Sequence, residues 1–96
     1  MHFLAINKRK TDSSLQGQVE ELLGAEAEYV REYYAQGIFR SVWSLREVKG
    51  AVIEMECESR EAAMRILENL PLALAGFLEI ELISLSPYRG FAASRV

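Results

Sequence analysis

Apolar residues change period several times along this chain, and each change marks an element. Met1 to Asn7 is a short run rich in Phe, Leu and Ile, as in a buried strand. Thr11-Asp12-Ser13-Ser14 follows, with side-chain oxygens suited to the open N–H groups of a helix start, and Gln16 stands three residues after Ser13 as in a capping box. Leu15, Val19, Leu22, Leu23, Val30, Tyr33 and Tyr34 then recur at three- and four-residue intervals, while Glu20, Glu21, Glu28, Arg31 and Glu32 fall between them. The pattern predicts a long helix with one packed face. Gly24 inside it marks a close approach or slight break, and Gly37 is placed to end it in the left-handed conformation.

From Ile38 to Leu45 the chain is rich in β-formers, Arg46 to Gly50 reads as a hairpin connection, and Ala51 to Glu58 is the next strand. In that strand Ala51, Ile53, Met55 and Cys57 alternate with Val52, Glu54, Glu56 and Glu58, which predicts one dry and one polar face. Ser59 is a helix N-cap, Glu61 suits the positive helix N-terminus, and Ala62, Ala63, Ile66, Leu67 and Leu70 form the apolar side until Pro71 stops the helix. A last strand runs from Phe77 to Leu85, with Leu78, Ile80 and Leu82 on one side and Phe77, Glu79, Glu81 and Ile83 on the other. Pro87 closes it before a tail, Tyr88 to Val96.

The order strand, helix, strand, strand, helix, strand predicts an α+β, ferredoxin-like βαββαβ fold, with both helices on one face of a four-stranded antiparallel sheet. The other face is left bare. A small domain that exposes a partly apolar sheet closes it against a second copy, so at least a homodimer is expected, as a dimeric α+β barrel. The aromatic tail from Tyr88 is expected to dock on the neighbouring subunit.

At 96 residues the chain makes one domain, 1–96. Half of it is hydrophobic and 26% charged, which is a globular composition. A net charge of −3, with Lys8-Arg9-Lys10 as the one basic cluster, argues against a nucleic-acid surface. No stretch approaches the ~20 apolar residues that span a bilayer, so no membrane contact and a cytoplasmic location are expected. The single cysteine, Cys57, has no disulfide partner and reads as a small buried hydrophobe, and neither Cys nor His is frequent enough for a zinc site.

Candidate chemistry lies on the bare face. Val52, Glu54 and Glu56 should point there, with Glu79, Glu81 and Ile83 from the last strand. In strict alternation Arg40 shares a face with Ile38, Val42 and Ser44, whereas Phe39, Ser41 and Trp43 take the opposite one, so Arg40 and Trp43 face the same way only across a bulge. Enclosed between two subunits, a glutamate has its pKa raised and serves as general acid or base. Glu54, nearest the middle of its strand, is the candidate, with Arg40 as a fork-shaped clamp for a substrate carboxylate. Trp43, Ser41, Glu79 and the sole imidazole, His2, are the candidates for contacting substrate. The competing reading leaves the glutamates at solvated margins, His2 at a strand end and Trp43 in the core or interface.

Gly37, the segment Arg40-Ser41-Val42-Trp43 and the turn Leu70-Pro71-Leu72 resemble the muconolactone delta-isomerase family over nearly the whole chain. The resemblance implies closed α+β barrels assembled into dimers and larger rings, and the shift of a double bond in a small unsaturated lactone acid by proton movement, with no cofactor and no metal. Catalytic members of that family carry a histidine directly after the arginine, where this chain has Ser41. Two functions follow as expectations: an isomerase-like enzyme acting on a small carboxylated ligand through Glu54 and Arg40, or a non-catalytic barrel that binds such a ligand or serves assembly. A cofactor-free oxygenase is a weaker third, for want of a His-centred pocket.

Overall fold

The computed structural model describes residues 1–10 and 15–93. Its elements are β1 (His2–Arg9), α1 (Gln16–Ala35), β2 (Phe39–Ser44), β3 (Gly50–Glu56), α2 (Arg60–Glu68), α3 (Pro71–Leu74), β4 (Leu78–Leu85) and α4 (Arg89–Ala93). The capping box expected at Thr11 to Gln16 falls largely outside the described residues.

The four strands form one antiparallel sheet in the order β2-β3-β1-β4, the split arrangement expected from the element order. Register follows from burial. Phe3 and Ala5 of β1 are fully buried and sit opposite Met55 and Ile53 of β3 and Ser84 and Leu82 of β4, so odd positions of β1 face the helices and even ones face away. The main core joins these residues to Phe39, Ala63, Leu67 and Leu70, and a smaller cluster joins Val19, Leu72 and Phe77. Each fully buried large side chain stabilises by about 1.5–3 kcal/mol relative to exposure.

Several local expectations hold. Ser59 caps α2, its Oγ accepting from the Ala62 N–H at 3.1 Å. Gly37 ends α1 with φ +80°, and the N–H of Ile38 donates back to the Tyr33 carbonyl. Cys57 packs against the main core, and burial raises its thiol pKa.

Others are corrected. Helix α1 runs unbroken through Gly24, with open space where its side chain would be, so that glycine marks neither a break nor a close approach. Leu23 and Tyr34 are exposed, because the packed stripe runs through Leu22, Val30 and Tyr33 instead. Pro71 ends one helix by opening another: it is the first residue of α3, which a proline's fixed φ and missing N–H allow. Phe77 precedes β4 and is buried in the smaller cluster rather than on the open face. The tail carries a short helix, α4, whose Phe91 meets Tyr88, just before it, edge to face at 4.9 Å. No helix among the described residues is long and apolar enough to cross a membrane.

Candidate active site

On the open face, a bulge in β2 decides which residues meet. Phe39 pairs with Met55 but Ser41 pairs with Glu54, so Arg40 is the extra residue. Phe39 and Val42 therefore pack on the helix side, whereas Ser41 and Trp43 stand on the open side, opposite Glu54 and Val52. This corrects the strict alternation, which put Phe39 with Ser41 and Trp43. Arg40 is exposed and close enough for its charge to act on Glu54. Trp43 is 68% exposed, not core.

The Ser41 hydroxyl donates to Glu54 Oε1 at 2.9 Å, and His2 Nε2 lies 2.6 Å from Glu54 Oε2. The other imidazole nitrogen is 3.3 Å from Glu56. In the single chain these contacts set the electrostatics of Glu54. Its carboxyl is held below the usual range, first by the Ser41 hydrogen bond and then by His2, and its side chain is 37% exposed. Glu79 is not part of this group. It sits opposite Lys8 at the other end of β1 and lines a separate open depression of about 840 Å³ with Lys8, Arg9, Lys10 and Lys49.

A second polar group lies beneath α1, on the helix side of the sheet. A cavity of about 160 Å³ is walled by Val30, Val42, Ile53, Leu72 and Leu78, and its polar lining is Asn7, Arg9, Glu26 and Ser44. Asn7 and Arg9 continue the inward-facing series of β1 after Phe3 and Ala5. Glu26 stands on the packed stripe of α1, four residues from both Leu22 and Val30. The Leu72 N–H, in the first turn of α3, donates to Glu26 Oε1 at 2.9 Å. Desolvation raises the Glu26 pKa, against the lowering effects of that hydrogen bond and of the Arg9 charge.

Neither Glu26 nor Asn7 stood out in the sequence reading. The signal was there: Glu26 takes a place on an apolar stripe, and Asn7 a core-facing place in a strand. A half-buried carboxyl near a guanidinium, in a partly open and mostly apolar cavity, has what the open-face carboxyl of the single chain lacks for proton transfer from carbon: partial desolvation and a basicity above that of free glutamate.

The model of the muconolactone delta-isomerase family matches residues 1–90. Among solved structures, the chain is similar to a 5-chloro-2-hydroxyhydroquinone dehydrochlorinase from Burkholderia phenoliruptrix AC1100 in complex with 2,5-dihydroxybenzoquinone, with a TM-score of 0.76 and 20% identity over 94% of this chain and 98% of that one. It is also similar to a muconolactone isomerase, with a TM-score of 0.77 and 20% identity over 93% of this chain and 92% of the other. At that identity the likeness concerns the fold. No curated protein matches the chain.

Proposed function

The chain belongs to the muconolactone delta-isomerase family, and from that premise we propose that it moves a proton within a small unsaturated lactone or carboxylic acid, in the cavity beneath α1. Glu26 is the proton carrier in this reading. As carboxylate it takes a proton from the saturated carbon at the far end of the C=C–C=O system, leaving a dienolate. As the acid it returns the proton to the carbon next to the carbonyl, so the double bond shifts and Glu26 ends as it began. Arg9 holds the substrate carboxylate, and its positive charge offsets the charge that develops on the dienolate oxygen.

The observation that carries this reading is the burial-raised Glu26 carboxyl at a ring-sized cavity, fixed by the Leu72 N–H. A base whose pKa lies nearer to neutrality abstracts a weakly acidic proton more effectively. The test is incubation of the protein with muconolactone in deuterated water, followed by NMR. Double-bond migration with deuterium uptake above the blank is expected, and no product from the folded protein overturns the reading.

A second reading is favoured by the 2.6 Å approach of His2 to Glu54. It puts proton transfer on the open face, with the Glu54 and His2 pair as proton carrier, Arg40 as carboxylate clamp, and Ser41 and Trp43 beside the substrate. That face excludes water only when a second copy covers it. Separate Glu26→Gln and Glu54→Gln variants decide between the two, because each reading requires one of them to be inactive.

A further inference from the structure

We propose that Asn7 is the specificity-determining residue of the cavity beneath α1, and that the ligand it selects is a ring-sized compound bearing a hydroxyl group and an anionic substituent. The proposal rests on the reading that places the reaction in this cavity. It adds to that reading the chemical class of the ligand.

Asn7 is only 3% exposed, and its Oδ1 accepts no hydrogen bond from any described residue. An amide oxygen withdrawn from water without a partner is costly to the fold, and the same place could be filled by an apolar residue at no such cost. The neighbouring inward positions of β1, Phe3 and Ala5, are apolar. A polar side chain at this site therefore has its use in the cavity it lines.

The missing partner is a donor. A lactone or ketone carbonyl only accepts, so it leaves Oδ1 unsatisfied. A hydroxyl both donates and accepts, and so it meets the amide whichever way the amide is turned. Size and wall chemistry supply the rest. A cavity of about 160 Å³ lined by Val30, Val42, Ile53, Leu72 and Leu78 is of the order that admits a single six-membered ring. Arg9, on the same inward face of β1 two residues on, supplies the fork for an anionic group.

The test is calorimetric titration of the whole chain with 4-hydroxybenzoate and with benzoate, which differ by the hydroxyl alone. The wild-type protein should bind the hydroxylated ring roughly ten times more tightly or better, the scale set by leaving one buried acceptor unpaired. Asn7→Leu should bring the ratio close to one, mainly by weakening 4-hydroxybenzoate. Asn7→Ala is the parallel variant should the leucine disturb folding, with circular dichroism as the check. Equal binding of the two rings by wild type, binding of neither at millimolar concentration, or a preference that survives both substitutions overturns the assignment. The outcome separates from that of the catalytic reading. Lactone turnover without hydroxyl preference sinks the Asn7 assignment alone, whereas hydroxyl preference without turnover of any unsaturated acid supports it and sinks the proton transfer.

Discussion

The backbone N–H of Leu72 donates to Glu26 Oε1 at 2.9 Å, although the two residues are 46 positions apart. Leu72 lies in the first turn of α3, which begins at Pro71, so its N–H has no partner within its own helix. Packing of α3 against α1 thus serves two needs at once: it satisfies an orphan donor and orients a carboxylate toward the cavity. Glu26→Gln keeps an oxygen for the Leu72 N–H but removes the base. It should lower turnover by 10²-fold or more, the usual scale for loss of a general base, while circular dichroism stays unchanged. Retained activity in this variant removes Glu26 from the mechanism.

The same substitution has a pH signature. Burial raises the Glu26 pKa above its unfolded value, so the folded state holds its proton more firmly than the unfolded chain does. Stability from this group is fully present below the unfolded pKa and is lost as pH rises through the folded one. Glu26→Gln carries no such dependence. Relative to wild type it should gain stability as pH is raised from 4 to 7, measured by urea denaturation at each pH. A constant difference across that range would show that Glu26 is not desolvated.

Glu54 runs the opposite way. Its carboxyl is held low by the Ser41 hydroxyl and then by His2, so Ser41→Ala should raise its titration midpoint, followed by carboxyl NMR. Placement of the reaction beneath α1 also predicts that Glu54→Gln changes turnover no more than a few-fold. Loss of activity there, with Glu26→Gln active, moves the chemistry to the open face.

The fold was legible because it rests on periodicity. Alternation in β3 placed Ile53 and Met55 inside, Ser59 and Gly37 announced helix ends, and the element order implied the split βαβ sheet. The site was less legible for two physical reasons. A bulge is invisible to a period-two reading, so the grouping of Ser41 and Trp43 with Glu54 and Val52, and of Phe39 with the core, emerged only from the pairing register. Glu26 is hard to single out from sequence because charged helix residues are mostly solvated. Its neighbours four residues away on either side, Leu22 and Val30, were the clue that it is not.

Gly50 tests the cavity wall. It opens β3 with φ +153°, and a Cβ there would collide with the Asn7 backbone carbonyl oxygen and lie 3.0 Å from Leu45 Cδ1 and 3.1 Å from Lys8 Cα. The Leu45 side chain can turn aside, but the β1 backbone cannot yield without breaking the pairing. Gly50→Ala should therefore cost at least about 2 kcal/mol, near the middle of the range for a strained backbone site, and lower the unfolding midpoint in urea. A neutral substitution would mean that the β1 and β3 backbones separate more readily than this packing allows.

Self-association is the last prediction, and it comes from the face that the helices leave uncovered. Leu4 and Ile6 of β1, Val52 of β3 and Ile83 of β4 share that face in register with the 68%-exposed Trp43. An apolar strip crowned by a tryptophan is the composition of an interface centre, where aromatic residues carry much of the binding energy. The occupant we propose is a second copy of the chain: the strip is apolar, and its exposed flanking charges, Arg40 and Glu81, are of both signs, as a self-complementary face requires. Trp43→Glu puts a carboxylate into that strip near Glu54, without touching the core beneath. Sedimentation velocity should show wild type as a dimer or larger assembly and Trp43→Glu shifted toward monomer. Removal of residues 88–96, which carry the exposed Tyr88 and Phe91, should weaken the assembly to a smaller extent. A wild-type monomer at micromolar concentration overturns the pairing, and with it the reading that places catalysis on the open face, since that site is closed to water only by a partner.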